Sequence, residues 1–329
     1  MKILRLLGVV VLLAAAAGSY AFYRLEQPYQ GFQGETFVEF PHGTGTRAMA
    51  EQLVRAGVVE SSWEFLLARW ASGVKVLQAG EYKFAHAASA MEVVRRIGRG
   101  DIFYYELVVP EGRNLFDIGA AVEQLGLFPA AKFLEAARNP ALIHDLDREA
   151  PTLEGYLFPD TYRLGRKTTP EQLCRVMTGK FRSAWKGLHT EADVHRTVTL
   201  ASLVEKEGKL AEERPRIAAV FANRLRIGMK LDCDPTTIYA ALLEDRYHGV
   251  IHRSDLDSDQ AYNTYRHPGL PPGPIANPGL ASIRAALAPA ESDSLFFVAR
   301  ADGSGGHEFS STIAAHESAV ERYRRALRK

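Results

Sequence analysis

The chain has 329 residues, 40 Lys+Arg against 39 Asp+Glu, and 47% hydrophobic residues. A net charge of +1 excludes a strongly basic nucleic-acid binder and a polyacidic tail. The length allows two domains whose cores need no disulfide or metal staple, and two cysteines, Cys174 and Cys233, exclude a disulfide framework and a cysteine-only zinc site.

Leu6 to Tyr23 carry no formal charge and are bracketed by Arg5 and Arg24. As a helix this run is about 27 Å long, enough to cross a hydrocarbon core of about 30 Å. Lys2 and Arg5 precede it, whereas Glu26, Glu35 and Glu39 follow. The positive-inside rule then leaves the N-terminus in the cytoplasm and exports the rest. The small residues Ala14 to Gly18 would also suit a signal peptidase. The apolar continuation through Ala21, Phe22 and Tyr23 favours a retained anchor over residues 1–25, and both readings put the remainder outside the cytoplasm. A buried core helix fits poorly with a place at the extreme N-terminus behind Lys and Arg. Exported cysteines can pair, but Cys174 and Cys233 fall in different predicted elements and read as two unpaired core residues.

Residues 26–35 are polar and contain glycine, which predicts a linker. Phe37 to Phe40 read as a strand and Gly43 to Thr46 as a turn. A helix carries Met49, Leu53 and Val54 up to Gly57, and a second follows Ser61 with Phe65, Leu66 and Trp70. Leu77 to Phe84 form a strand with a bend at Gly80, and Ser89 caps a helix that stops at Gly98 and Gly100. This is a compact α+β module over residues 26–103. A larger mixed α+β domain over 104–329 follows. It opens with a strand at Tyr104 to Pro110, a helix bearing Ile118, Val122 and Leu125, and a helical stretch broken at Asn139-Pro140. Helices are predicted over 170–187, 191–207, 212–227, 235–243, 278–288 and 312–328. A hairpin joins Leu295 to Ala299 with His307 to Phe309 through a Gly-Ser-Gly-Gly turn. Between 263 and 278 five prolines stiffen a long loop, as binding walls often are.

Four segments carry candidate chemistry. In Thr199 to Glu207, helical periodicity gives an apolar face of Leu200, Leu203 and Val204, with Lys206 opposite and Glu205 and Glu207 on the flanks. Glu205 shares its side with Val198, Ala201 and Ser202. A carboxyl desolvated there stays protonated near neutrality, as a general acid must. Periodicity alone does not choose between the two glutamates, and a solvated helix end explains them equally. In Glu154 to Tyr162, the rings of Tyr156 and Tyr162 lie near the carboxylates of Glu154 and Asp160, a combination that stacks on sugars and binds their hydroxyls, or else a strand and turn of the core. Asp234 before Pro235 reads as a helix N-cap, with Asp232, Asp234 and Thr236 as alternative cleft residues. Tyr262, Asn263, Thr264 and Tyr265 stand on the stiff loop, and Asn277 is predicted to cap the helix at Pro278. No His-Glu-x-x-His pattern, nucleophile elbow or phosphate-cradling glycine loop occurs, so no metal or cofactor is expected.

These motifs fall into a known order. Leu153–Leu164 (LEGYLFPDTYRL), Leu200–Glu207 (LASLVEKE), Ile217–Leu231 (IAAVFANRLRIGMKL), Asp234–Tyr239 (DPTTIY), Tyr262–Ile275 (YNTYRHPGLPPGPI) and His307–Val320 (HEFSSTIAAHESAV) resemble the endolytic murein transglycosylases of the YceG-like family, over the chain from about residue 37 onward. The resemblance implies a single inner-membrane helix, a periplasmic LysM-like module and a catalytic domain. It matches the essential acid to Glu205, the first glutamate of the VEKE run. It also adds His307, Ser310 and Thr312 to the expected sugar contacts, beside Ser202. Two positions depart from the family pattern: Ser318 follows His316-Glu317 where Asn is usual, and Cys233 stands where Thr is commoner. The implied partners are peptidoglycan glycan strands, the inner membrane and the cell-wall synthesis machinery. The implied reaction cleaves the β-1,4 bond from N-acetylmuramic acid to N-acetylglucosamine and leaves 1,6-anhydro ends. The competing readings are a muramidase-type hydrolase pairing Glu205 with Asp160 or Asp234, and a tethered peptidoglycan-binding protein without catalysis.

Overall fold

The structure is a computed structural model that describes residues 2–328. Met1 and Lys329, the outer ends of the expected anchor and catalytic domain, lie outside the described residues. The chain divides into two compact units, Met1–Tyr105 and Glu106–Lys329, and both mix helices with short two-stranded sheets.

The first unit begins with helix α1 (Lys2–Glu26), long and apolar enough to cross a membrane. Leu6, Leu7, Leu12 and Leu13 are each more than 60% exposed, so α1 is not a core helix. Its C-terminal end joins the rest of the unit. Leu25 is buried in the core with Phe65, Tyr82 and Val94, and Arg24 Nη2 lies 2.7 Å from Glu64 Oε1 and pairs with Glu60. The predicted linker is ordered instead. Strand β1 (Pro28–Tyr29) pairs antiparallel with β4 (Ala88–Ser89), and the Gly31 N–H donates to the Gly57 carbonyl at 2.8 Å. Backbone pairing holds this stretch, and its polar side chains gave no sign of that.

Strands β2 (Thr36–Phe40) and β3 (Gly80–Phe84) pair antiparallel, with Val38 opposite Tyr82. Helices α2 (Thr46–Arg55) and α3 (Ser62–Ser72) connect them, and α4 (Ala90–Arg99) follows. Ser89 Oγ accepts from the Glu92 N–H at 3.1 Å, the cap the sequence predicts, and Gly100 ends α4 at φ 74°.

The second unit is built around a nearly enclosed helix. Strand β5 (Tyr105–Val109) pairs with β6 (Asp160–Leu164). Helix α5 (Leu115–Gln124) starts from a reciprocal cap between Asn114 and Asp117, and α6 (Ala130–Ala137) ends before a short 3-10 turn at Pro140–Leu142. After α7 (Pro170–Lys186) comes α8 (Val194–Glu207), in which every residue from Thr197 to Val204 is buried. Helices α9 (Arg214–Arg226) and α12 (Leu280–Leu287) pack on it, and α10 (Asp234–Leu243) adds Tyr239 to its core, with α11 (Arg253–Leu256) behind. The hairpin of β7 (Phe296–Ala299) and β8 (His307–Ser310) leads into α13 (Ile313–Leu327). Cys174 and Cys233 are both free and buried.

Two predicted caps turn out otherwise. Helix α12 begins at Leu280 with Gly279 as its cap residue, so Asn277 caps nothing. Asp234 is the first residue of α10, not its cap, and its carboxylate accepts from the Tyr265 hydroxyl at 2.6 Å.

Candidate functional site

The end of α8 presents its two glutamates to different surroundings. The Glu205 side chain is 5% exposed, and both of its oxygens are occupied: Oε1 accepts from Arg214 Nη2 at 3.0 Å, and Oε2 from the Gly279 N–H at 3.0 Å. Arg214 also reaches Glu111, and Lys206 donates to the Gly112 carbonyl at 3.3 Å. The apolar neighbourhood expected for Glu205 is therefore a donor-lined one. Its contacts tie α8, α9 and the start of α12 together.

Glu207 opens instead on a cavity of about 400 Å³, whose lining does not include Glu205. It is lined by Leu231, Cys233 and Asp234, by Arg224, Asp232 and Tyr265, and by the aromatic rings of Phe296, Phe297 and His316. Burial pushes the Glu207 carboxyl above its ordinary range, with the Cys233 thiol, 3.3 Å away, acting in the opposite direction as a donor. Arg224 is not free to neutralise it: its guanidinium donates to the carbonyls of Leu295 and Leu231 at 2.6 and 2.8 Å and lies 3.8 Å from Asp232. The His316 ring stacks on Phe296 with centroids 5.1 Å apart, and its Nδ1 has no hydrogen-bond partner among the described residues. Volume and lining suit a small polar ligand with ring faces.

Of the residues expected to touch sugar, Asp234 and Tyr265 line this cavity. The others are mostly internal fastenings. Tyr156 is buried against Phe181 and its hydroxyl donates to Asp147, Tyr162 is buried with its hydroxyl on the Phe158 carbonyl, and Asp160 is an exposed ion partner of Lys180. Ser202 Oγ donates to the Thr199 carbonyl and accepts from the Ile275 N–H. Thr236 and Thr264 bond each other at 2.9 Å beneath Cys233. Tyr262 packs on Tyr239, and Asn263 donates to the carbonyls of Leu256 and Ser258. His307 Nδ1 meets Glu213 at 2.8 Å, Ser310 is a buried strand residue opposite Phe296, and Thr312 caps α13 through the Ala315 N–H. Sequence reasoning did not propose Arg224, Phe296, Phe297 or His316, which reach the cavity from α9, β7 and α13.

Glu154 and Asn277 form a buried brace beside α8. Asn277 Oδ1 accepts from the N–H groups of Gly155 and Leu157, both at 2.9 Å, and its Nδ2 donates to the Arg113 carbonyl and to Glu154 Oε1, both at 2.9 Å. Glu154 Oε2 accepts from the Leu115 N–H at the start of α5. Gly155 makes this possible at φ 88°: a Cβ there would lie 2.6 Å from Pro274 Cβ and 2.9 Å from Val198. Burial pushes the Glu154 carboxyl up to about 8, against hydrogen bonds that favour the carboxylate. Above its ordinary pKa of 4.5 the unfolded chain has released this proton and the folded one has not. Folding stability is therefore expected to fall as pH rises from about 4.5 to about 8, and Glu154→Gln to flatten that fall in melts taken across the window.

The chain has clear relatives. The YceG-like family profile matches residues 38–322. An endolytic murein transglycosylase of Bacillus subtilis is 31% identical over 307 residues, covering 87% of this chain and 84% of that protein. One from Streptococcus pneumoniae is 30% identical over 301 residues; the match covers 80% of this chain but spans only 54% of the pneumococcal protein. The crystal structure of a yceG-like protein from Listeria monocytogenes superposes with a TM-score of 0.55 at 30% identity, covering 87% of this chain and 99% of that one. With a profile match over most of its length and a relative 31% identical over 87% of the chain, this chain belongs to the YceG-like family.

Proposed function

We propose that the protein is a peptidoglycan lytic transglycosylase, held by α1 in the inner membrane with both units in the periplasm, and that Glu207 is its proton donor. The relatives' names support the activity. The observation that carries the assignment is a desolvated carboxyl at the end of α8 that lines a cavity together with the rings of Phe296, Phe297 and His316. Glu205, which the resemblance singled out, is held by Arg214 and Gly279 and is better read as a positioning residue.

Glu207 protonates the oxygen that leaves muramyl C1. The resulting carboxylate then takes the proton from the muramyl C6 hydroxyl, whose oxygen closes on C1 as a 1,6-anhydro ring. One C–O bond breaks, one forms, and no water is consumed. A single carboxyl serves both steps, so no second carboxylate is required at the spacing a hydrolase needs. Asp234 and Tyr265, joined by their hydrogen bond, line the cavity where they can receive sugar hydroxyls. The strand–helix–helix–strand order of β2, α2, α3 and β3 supports the LysM-like reading of residues 26–103. Endolytic cleavage of nascent strands beside the synthesis machinery would terminate their growth.

The test is digestion of purified sacculi followed by mass spectrometry. Anhydro-muramyl ends inside former strands are expected. Hydrolysed reducing ends would replace the lyase by a muramidase, and binding without cleavage would leave a binding protein. The Cys233 contact gives a finer check, because the donor must be protonated and activity must fall as pH rises through its pKa. A hydroxyl donates more strongly than a thiol and favours the carboxylate, so Cys233→Ser is expected to move the alkaline limb of kcat/KM to lower pH. Cys233→Ala should move it the other way.

A further inference from the structure

Helix α3 carries an apolar stripe on its outside. Trp63 is 49% and Trp70 81% exposed, and the next loop adds Val76 at 69%. Residues seven apart on a helix point the same way to within about 20°, so the two indoles form one stripe about 10 Å long. Leu66 and Leu67 lie between them, half-buried. A soluble surface seldom leaves two tryptophans uncovered in a row.

What covers them is indicated by the neighbour of α3. Glu64, one residue after Trp63, is buried under Arg24, and Glu60, just before α3, pairs with the same guanidinium. Arg24 lies in the last turn of α1, where the apolar span ends. The start of α3 therefore sits at the level where α1 would leave a bilayer. The acids near the stripe are consumed by Arg24, while Lys75 is exposed past its far end and Arg69 donates to the Lys75 carbonyl there. Amphipathic indoles flanked by uncompensated cations match the interfacial layer of a membrane with anionic lipid.

We propose that the outer face of α3 lies in the headgroup layer of the membrane that holds α1, with Trp63 and Trp70 as its anchors. This rests on the anchored reading of α1. The module is then fastened at two places, through the bilayer by α1 and onto it by α3.

The full chain, reconstituted into phosphatidylcholine–phosphatidylglycerol vesicles with brominated acyl chains, tests this by tryptophan emission. Two of its three tryptophans belong to the stripe, so relative to unbrominated vesicles about half of the emission or more should be lost. In the Trp63→Phe/Trp70→Phe double variant, which keeps Trp185, that loss should disappear while the protein still floats with vesicles and resists carbonate extraction. Wild-type protein that floats and resists extraction but keeps its full emission would overturn the proposal and leave the anchor intact. Quenching that persists in the double variant would also overturn it, since the signal would come from Trp185. Protein that does not float at all would overturn both the proposal and the anchor. The wild-type measurement decides even if the double variant folds poorly, and Trp70→Phe alone then serves as the control.

Discussion

Glu207→Gln is expected to lower glycan cleavage by about 10²–10⁴-fold, the usual contribution of a positioned general acid. The amide keeps the size of the side chain and can still accept from the Cys233 thiol. It also removes a buried carboxyl whose pKa burial has raised. Such a group binds its proton more tightly when folded, so its contribution to stability shrinks as pH rises above the unfolded value. The variant should therefore melt no lower than the wild type at neutral pH. Lost activity with retained or increased stability marks a group kept for chemistry rather than for folding. Glu205→Gln should behave in the opposite way. It breaks the pair with Arg214, should lower the melting temperature, and should cost less than about tenfold in activity, or about 1.4 kcal/mol. Measured together by anhydro-muropeptide release and thermal melts, the two variants separate the roles. Full activity of Glu207→Gln would remove the assignment.

Asn277→Ala is expected to be the most damaging single change to the second unit. It strands three buried partners: the N–H groups of Gly155 and Leu157 and Glu154 Oε1, whereas the Arg113 carbonyl keeps the Asn277 backbone N–H at 2.9 Å. Each buried polar group left unpaired costs about 1–3 kcal/mol, less where water replaces the amide, so a total of about 3–6 kcal/mol is reasonable. For a unit of this size, at about 2–4 °C per kcal/mol, the melting temperature should fall by about 10–20 °C. Asn277→Asp should also destabilise, since its carboxylate would face the Arg113 carbonyl and Glu154. Calorimetry of the full chain reads both, and a shift below about 3 °C for Asn277→Ala would mean that the brace is redundant.

The helices of the second unit were legible because their apolar periodicity and caps are local. The predicted spans 170–187 and 235–243 end within a residue of the observed ones, and Ser89 caps α4 as its sequence suggests. The ordering of 28–31 was not legible, because strand pairing with Ala88 and Ser89 is written in backbone groups. Asn277 misled for a related reason. Its place before a proline fits a cap, while its actual partners are 120 residues or more away. The inward position of Glu207 was more readable than the flanks suggested. Leu200, Leu203, Val204 and Glu207 follow the i, i+3, i+4, i+7 spacing of one face, so Glu207 continues the buried stripe, one step further than the apolar residues go. The aromatic lining was beyond local reasoning, since Phe296 and His316 meet only after the hairpin and α13 fold back on α9.

Helix α1 gives way to paired backbone within two residues, and its last leucine is already inside the core of the first unit. With α1 in a bilayer, no slack chain separates the lipid from the folded body. Its stand-off is then set by covalent geometry rather than by the statistics of a flexible tether. The first unit then keeps to a thin slab just above the lipid and travels by lateral diffusion rather than by swinging on a tether.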